Sequence, residues 1–217
     1  MSLTLGIDTS TDVRVGLATD GAVLASAAVT DPRAHAEQLM PLIRDTLAGV
    51  GRRLAEVTAV VVGVGPGPFT GLRVGVVTAH TLGFVLKVPV RGVCSLDVAA
   101  AAYDGDPGEF LVVSDARRRE VYWARYAEDG TRLTGPFVTP AAELPDLPVT
   151  GPGAALAGVA SVPLDGGLLA LAGPDLPDAG LSPLYLRRPD AEVPTTRKST
   201  LLQPRLSPGW ARCAPTC

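Results

Sequence analysis

The sequence predicts an α/β protein in which one strand-rich unit occurs twice. Residues 3–29 have the pattern of a three-stranded antiparallel meander whose second hairpin turn is Asp-Gly. Residues 110–139 repeat the order of strand, aspartate, polar turn, strand, Asp-Gly turn and strand. Asp8 and Asp115 close the first strand of each copy. This internal echo indicates a duplicated unit, and chance resemblance between two short meanders is the alternative.

The segment after the first copy has the order helix, strand, helix, strand. A helix is expected over 32–50, with Asp31 as its N-cap, because apolar residues recur at spacings of four and three. The segment AVVVGVG (59–65) is apolar on both faces, as buried parallel strands are. A second helix is expected over about 70–87, and another strand begins at Pro89. With the repeat, this order suggests the duplicated actin-like (ASKHA, ribonuclease H-like) fold.

The second copy is truncated. Residues 140–183 are rich in Pro, Gly, Ala and Leu, and no segment there combines a cap, helical periodicity and the ~10 residues of an ordinary helix. We therefore expect an N-terminal subdomain at 1–103, a smaller C-terminal subdomain at 104–191 and a disordered tail at 192–217. In this fold the first hairpin turn of each half faces nucleotide phosphates, so the candidate anion-facing residues are Asp8, Thr9, Ser10, Arg117 and Arg118. The segments that would hold adenine are missing or too short.

Composition and charge exclude several classes of protein. The chain has 217 residues, 47% of them hydrophobic, and a formal net charge of -3, which gives no basic field for sequence-independent binding of nucleic acid. No signal peptide is evident, and no apolar run approaches the ~20 residues of a membrane span. Three cysteines are too few for a disulfide framework, so a cytoplasmic protein that does not enter the membrane is expected.

The stretch GVGPGPFTGLRVG (63–75) joins a strand to a helix through a glycine-rich loop. A helix N-terminus can bind an anion, but the Lys-Ser/Thr ending of a P-loop is absent, and a rigid turn is favoured. In the following helix, residues four apart form a ridge of small side chains: Gly71, Gly75, Ala79 and Gly83. Apolar residues occupy nearly every side of this helix, so it must be covered either by a partner subunit or by the protein's own second half.

Signals of independent catalysis are sparse. The two histidines, His35 and His80, cannot make a three-histidine zinc site. Cys94 has no evident basic neighbour, and a Gly-x-Ser-x-Gly elbow is absent. The triple arginine 117–119 is either an anion site or a charged turn in water, and the second is favoured.

Six motifs, taken in order, resemble the TsaB family. They are IDTST (7–11), RAHAEQLMPLI (33–43), GVGPGPFTGLRVG (63–75), GVCSLD (92–97), DARRREVYWA (115–124) and PLYLRRPDA (183–191). The resemblance covers about residues 3–191, and the chain after about Lys198 has none. From Arg187 onward six basic residues face two acidic ones, so the tail either touches tRNA or has no function, and the second is favoured.

The resemblance implies a non-catalytic relative of TsaD, the subunit that transfers a threonylcarbamoyl group to the adenosine beside the anticodon of tRNA. The metal-binding histidines of TsaD fall at Ser95 and Ala99 here, so neither metal nor cofactor is expected. Family members use two helices like 32–50 and 70–87 to join TsaD, or each other as a homodimer. TsaE, an ATPase, is expected to bind the assembled pair, and tRNA is expected to be contacted only indirectly.

The partner-binding candidates follow from that resemblance and from helical geometry. They are His35, Leu39, Leu42, Gly71, Arg73, Gly75, Val76, Ala79, His80 and Phe84. Two enzyme classes remain as alternatives to a scaffold. One is a metal-dependent enzyme of the glycoprotease class, and the other is a small ATP-dependent kinase of the same fold.

Overall fold

The fold is described from a computed structural model, which covers residues 2–30 and 35–187. Its strands are β1 (Thr4–Asp8), β2 (Val13–Thr19), β3 (Ala22–Val29), β4 (Ala59–Gly63), β5 (Val90–Val93), β6 (Phe110–Asp115), β7 (Glu120–Tyr126), β8 (Arg132–Pro140) and β9 (Val149–Thr150). Its helices are α1 (His35–Gly49), α2 (Phe69–Leu86), α3 (Ser95–Ala100) and α4 (Gly166–Ala172).

Two sheets repeat one topology, which confirms the predicted duplicated α/β fold. The first sheet has the order β3-β2-β1-β4-β5, and the second has the order β8-β7-β6-β9. In each, the first three strands are antiparallel, and the next strand pairs in parallel with the first one. The second sheet has four strands where the first has five, so the copy is truncated as expected.

Helices α1 and α2 cover one face of the first sheet. Alternate residues of β1 and β2 point to this face, because successive side chains of a strand leave on opposite sides. Their apolar side chains form one core with both helices, including Leu5, Ile7, Val15, Leu17, Ile43, Leu47 and Leu82. This packing fixes α2 on the sheet and decides which of its sides remains outside.

The opposite face of the first sheet is covered by α4, although α4 belongs to the second half of the chain. Gly6 and Gly16 lie directly opposite each other in β1 and β2. A Cβ at Gly16 would lie 2.0 Å from the carbonyl carbon of Gly166, and one at Gly6 would lie 2.5 Å from its oxygen. Glycine is therefore required in both strands for the backbone of α4 to reach the sheet.

The second sheet packs one face against α3 and leaves the other to short turns. Phe110, Val112, Ala124 and Tyr126 form a core with Leu96 and neighbouring residues of α3. The other face of this sheet is covered by residues from 141 to 157, which include two 3₁₀ turns. Among the described residues, α1 and α2 have no counterpart on this sheet.

Some predicted boundaries and contacts require correction. α2 begins at Phe69, one residue before the expected start, with Pro68 in the N-cap position, and it ends at Leu86. α4 was not predicted at all. The N-cap predicted at Asp31 and the tail 192–217 lie outside the described residues. The subdomain limits 1–103 and 104–191 stay a prediction, and the structure adds that α4 packs across them.

Helix α2 is long and apolar enough to meet the length and composition criteria of a membrane span, which the sequence analysis did not predict. By length and composition alone, it is the one helix in the described part of the chain that could cross a membrane. Of its 18 residues, 39% are buried inside the protein, chiefly those on the side that faces the first sheet. The core helix of a soluble protein passes the same test, and the expectation that the protein does not enter a membrane stays a prediction.

Candidate functional site

Asp8 lies at the end of β1, in the first hairpin turn, and its carboxylate is buried. Its Oδ1 accepts hydrogen bonds from the backbone N–H of Ser10 at 2.7 Å and from the Ser10 hydroxyl at 2.6 Å. Its Oδ2 accepts one from the Ser95 hydroxyl at 2.6 Å. Burial raises the pKa of Asp8 above its ordinary 3.8, while the bonds from Ser10 and Ser95 oppose that rise. All of these donors belong to the protein itself.

Thr9 attaches the first hairpin turn to α2. Its hydroxyl donates to the carbonyl oxygen of Gly71 at 2.7 Å and accepts from the N–H of Gly75 at 3.1 Å. A Cβ at Gly75 would lie 2.3 Å from this hydroxyl oxygen. Both glycines therefore face the protein's own sheet, and Thr9 holds a helix where a nucleotide-facing role was predicted.

A cavity of about 270 Å³ separates the two hairpin turns. Its polar lining residues are Ser10, Thr11, Asp12, Arg14, Asp115, Arg117 and Ser161. Each turn supplies one internal ion pair: Arg14 lies 2.8 Å from Asp12, and Arg117 lies 3.5 Å from Asp115. The cavity is thus lined by two acidic and two basic side chains, and its charges are paired within each turn.

The metal chemistry of TsaD does not fit the residues around Asp8. Ser95, at the position of a predicted TsaD histidine, is a buried hydroxyl that donates to Asp8 and accepts from the N–H of Gly65 at 3.2 Å. Ala99 has no donor atom in its side chain. His80 lies on the exposed side of α2, away from Asp8. Within the described residues, no three His, Cys, Asp or Glu side chains form a group that could hold a metal ion.

The exposed side of α2 carries large apolar residues in a row, which we call the outer face. Its apolar members are Phe69, Val77, Phe84 and Val85, with 38%, 61%, 81% and 65% of their surface exposed. Arg73 and His80 are exposed between them. Residues 69, 73, 77, 80 and 84 lie three or four positions apart, which places them on one side of the helix, and Val85 follows Phe84.

One residue outside the helix extends the outer face. Tyr185 lies with its ring 4.9 Å from that of Phe69, and its hydroxyl accepts a hydrogen bond from Arg73 Nε at 3.1 Å. The guanidinium of Arg73 lies 3.8 Å above the Phe69 ring, within cation–π distance. These three side chains form an exposed cluster at the first turn of α2.

The structure divides the predicted partner-binding residues. Arg73, His80 and Phe84 are exposed on α2, whereas the chain's own core buries Leu39, Gly71, Gly75, Val76 and Ala79. Leu42 is half-buried against that core, and His35 is the first residue of α1. Val76 is 7% exposed, so the accessible residue at this turn is Val77. The prediction of a partner surface on these helices remains, but the buried residues cannot form it in this conformation.

Comparison with known proteins points to one family. A family model described as TsaD: tRNA N6-adenosine threonylcarbamoyltransferase matches residues 24–162. The solved structure of YeaZ from Pseudomonas aeruginosa has a TM-score of 0.70 and 30% identity, covering 86% of this chain and all of that chain. The Escherichia coli tRNA threonylcarbamoyladenosine biosynthesis protein TsaB is 38% identical over 128 residues, which are 58% of this chain and 55% of the relative. The chain belongs to the TsaB family.

A longer match within this group comes from Mycobacterium tuberculosis. That protein, described as uncharacterized, is 47% identical over 204 residues, which are 88% of this chain and 95% of the relative. The resemblance to the TsaB family, predicted from six short motifs, is therefore confirmed. The motif at 63–75 forms the loop and first turns of α2, and the motif beginning at Pro183 supplies Tyr185.

Sequence reasoning missed four members of the outer face: Phe69, Val77, Val85 and Tyr185. A signal existed for Phe69 and Val77, because residues 69, 73, 77, 80 and 84 follow helical spacing. It could not be used without knowing which side of α2 the sheet covers. Tyr185 is 116 residues away from Phe69 in the chain, and no local pattern indicates their contact.

Proposed function

We propose that this chain is a non-catalytic subunit in the biosynthesis of threonylcarbamoyladenosine in tRNA, and that it binds and activates TsaD. Family membership supports the pathway, since the relatives from Escherichia coli and Bacillus subtilis are named tRNA threonylcarbamoyladenosine biosynthesis protein TsaB. The observation that carries the proposal is the apolar outer face of α2.

The outer face has the properties of a protein-binding surface. A row of exposed Phe and Val side chains on a regular helix is unfavourable in water, and such patches mark interaction sites when they are contiguous. The helix is held rigidly from behind by the first sheet, so little conformational entropy is lost when a partner binds. Arg73 and His80 supply polar contacts among the apolar ones.

The chemistry of the transfer is assigned to TsaD. Ser95 and Ala99 stand where TsaD is expected to use histidines, and Asp8 accepts three hydrogen bonds from Ser10 and Ser95 of this chain. In this proposal the chain needs no cofactor. TsaE binds the pair of this chain with TsaD, and a homodimer through the outer face is the competing state of the free protein.

The test is complex formation with TsaD from the same organism, measured by size-exclusion chromatography with light scattering. Val77→Arg places a charge at the centre of the outer face without disturbing the core, because Val77 is 61% exposed. We expect this variant to lose the complex while its circular dichroism spectrum is unchanged. Leu133→Arg is the matched control, since Leu133 is a comparably exposed apolar residue on β8 of the second sheet.

Each outcome has a defined meaning. Loss of the complex in Val77→Arg and its retention in Leu133→Arg support the outer face as the TsaD surface. A complex that survives Val77→Arg places the contact elsewhere and contradicts the proposed surface. No complex with the wild-type chain contradicts the scaffold role and returns attention to an independent activity.

A further inference from the structure

Three consecutive arginines occupy the turn between β6 and β7 in an unusual backbone conformation. Arg117, Arg118 and Arg119 have φ angles of 67°, 56° and 64°. Apart from Lys87, they are the non-glycine residues with positive φ in the described part of the chain. Side chains with a Cβ disfavour this region, whereas glycine adopts it freely. The geometry of the turn therefore favours glycine, and arginine is present despite its backbone cost.

The arginine turn (117–119) is held rigidly from several sides. The N–H of Arg117 donates to Asp115 Oδ1 at 2.6 Å, and the N–H of Ala141 donates to the carbonyl oxygen of Arg119 at 3.2 Å. Arg187 Nη1 donates to the carbonyl oxygen of Ala116 at 2.7 Å. The three side chains are exposed above this fixed backbone. Strained backbone that the surroundings hold in place is characteristic of functional turns.

Positive charge is concentrated at this turn in a protein that is acidic overall. Arg117, Arg118, Arg119 and Arg187 all lie at this turn, where Arg117 is ion-paired with Asp115 and Arg187 with Glu120, while the whole chain has a net charge of -3. The chain leaves the described residues just after Arg187.

We propose that the arginine turn binds the phosphate backbone of tRNA directly. A row of exposed guanidinium groups matches a repeating series of phosphates better than a single small anion, because each fork can pair with a separate phosphate. The proposal rests on the proposed function for the choice of tRNA as the nucleic acid. It places the tRNA contact on a surface separate from the outer face of α2.

The test measures binding of a fluorescently labelled, unmodified tRNA transcript to the full chain by anisotropy over a series of salt concentrations. The variant Arg117→Ala/Arg118→Ala/Arg119→Ala removes three charges from the turn. The matched control Arg44→Ala/Arg52→Ala/Arg53→Ala removes three charges from α1 and the loop after it, where Arg44 and Arg53 are exposed and Arg52 is partly buried. We expect the turn variant to bind about tenfold more weakly and to reduce the salt slope by roughly 2, with the control within about twofold of wild type.

A second variant separates binding from folding. Arg119→Gly relieves the backbone strain, so we expect a melting temperature about 2–4 °C higher together with about threefold weaker tRNA binding. A turn with a merely structural role would become more stable and keep its affinity. Unchanged tRNA affinity in this variant and in the triple turn variant would overturn the proposal.

The remaining outcomes are also decisive. Equal loss of tRNA binding in the turn and control triples, or no tRNA binding by the wild-type chain, overturns the proposal while leaving a complex with TsaD intact. If the turn triple keeps tRNA but loses the complex with TsaD, the turn binds an acidic protein surface and the proposal is wrong. If tRNA binds through the turn and wild-type TsaD does not bind, the proposed function fails and this inference stands.

Discussion

Asp97 is a buried carboxylate in the first half of the chain, and it contacts two side chains of the second half. It lies in α3, and its Oδ1 accepts a hydrogen bond from the Tyr126 hydroxyl of β7 at 2.7 Å. Arg132 of β8 lies 3.5 Å from the same oxygen. Burial raises the pKa of Asp97, and the bond from Tyr126 and the charge of Arg132 oppose that rise. Burial also raises the pKa of the neighbouring Cys94 thiol to about 11, so this cysteine is a protonated core residue.

Replacing Tyr126 by Phe should destabilise the protein. The change removes one donor from a buried carboxylate, and we expect the free energy of unfolding to fall by about 1–3 kcal/mol at pH 7. Urea denaturation measures this change in the free energy of unfolding. Tyr103→Phe is the control, because the Tyr103 hydroxyl makes an exposed bond of 3.3 Å to the carbonyl oxygen of Asp106, and we expect it to change stability little.

The effect of Tyr126→Phe should also depend on pH. A carboxyl whose pKa is raised by folding binds its proton more tightly in the folded state, so stability falls as pH rises from 3.8 through the raised value. Loss of the Tyr126 donor raises that pKa further. The destabilisation should therefore be larger at pH 7 than near pH 4, and an equal loss at both would show that Asp97 is not the group involved.

Among the secondary structure elements, α4 has the closest backbone contact with a sheet. Its first residue, Gly166, lies against Gly16 of β2, and Asp165 caps the helix by accepting from the N–H of Leu168 at 2.8 Å. Five apolar residues follow the two glycines in α4. Glycine at a helix start ordinarily weakens a helix, so this contact with the sheet explains its presence here.

Gly16→Ala should displace α4. The added Cβ would meet backbone atoms of Gly166 and Gly167 at 2.0 Å, and neither strand nor helix can yield by a side-chain rotation. We expect a loss of roughly 1–3 kcal/mol or more in the free energy of unfolding, measured by thermal or urea denaturation. Gly49→Ala is the matched control because nothing lies within 4 Å of that position, and a similar loss there would contradict the explanation.

The elements that sequence predicted well are those specified locally. The order of strands and turns within residues 3–29 and 110–139 was predicted correctly, because alternation and Asp-Gly turns act over a few positions. α4 was missed because seven residues are too few to show periodicity, and its glycines resemble helix breakers until the sheet is placed behind them. The outer face of α2 was predicted one position away, at Val76, since helical spacing alone does not tell which side the sheet covers.

At the scale of the whole molecule, residues 179–187 form a strap across both halves. The N–H of Ala179 donates to the carbonyl oxygen of Gly92 in β5 at 2.8 Å. The N–H of Leu184 donates at the same distance to the carbonyl oxygen of Val64, just after β4. Tyr185 then contacts α2, and Arg187 reaches Ala116 and Glu120 of the second half. One short segment therefore connects the outer face of α2 with the arginine turn.

Arg187→Ala should loosen the connection between the halves. It removes the hydrogen bond to Ala116 and the ion pair with Glu120, which lies 3.2 Å away. We expect faster amide hydrogen exchange at residues 116–120 and a loss of about 1–2 kcal/mol in stability. Arg53→Ala is the control, since that exposed side chain pairs only with nearby Glu56. Unchanged exchange at 116–120 would show that the strap does not hold the turn.

The packing of α4 has a consequence for synthesis on the ribosome. The first sheet is complete once residue 93 has been made, yet the part of its face around Gly6 and Gly16 is covered by residues 166–172. Because the N-terminus of the chain is synthesised first, this face stays exposed to water until most of the second half has been made. The nascent sheet is therefore a candidate for chaperone binding during that interval, and a chain that stops near residue 103 should be prone to aggregate.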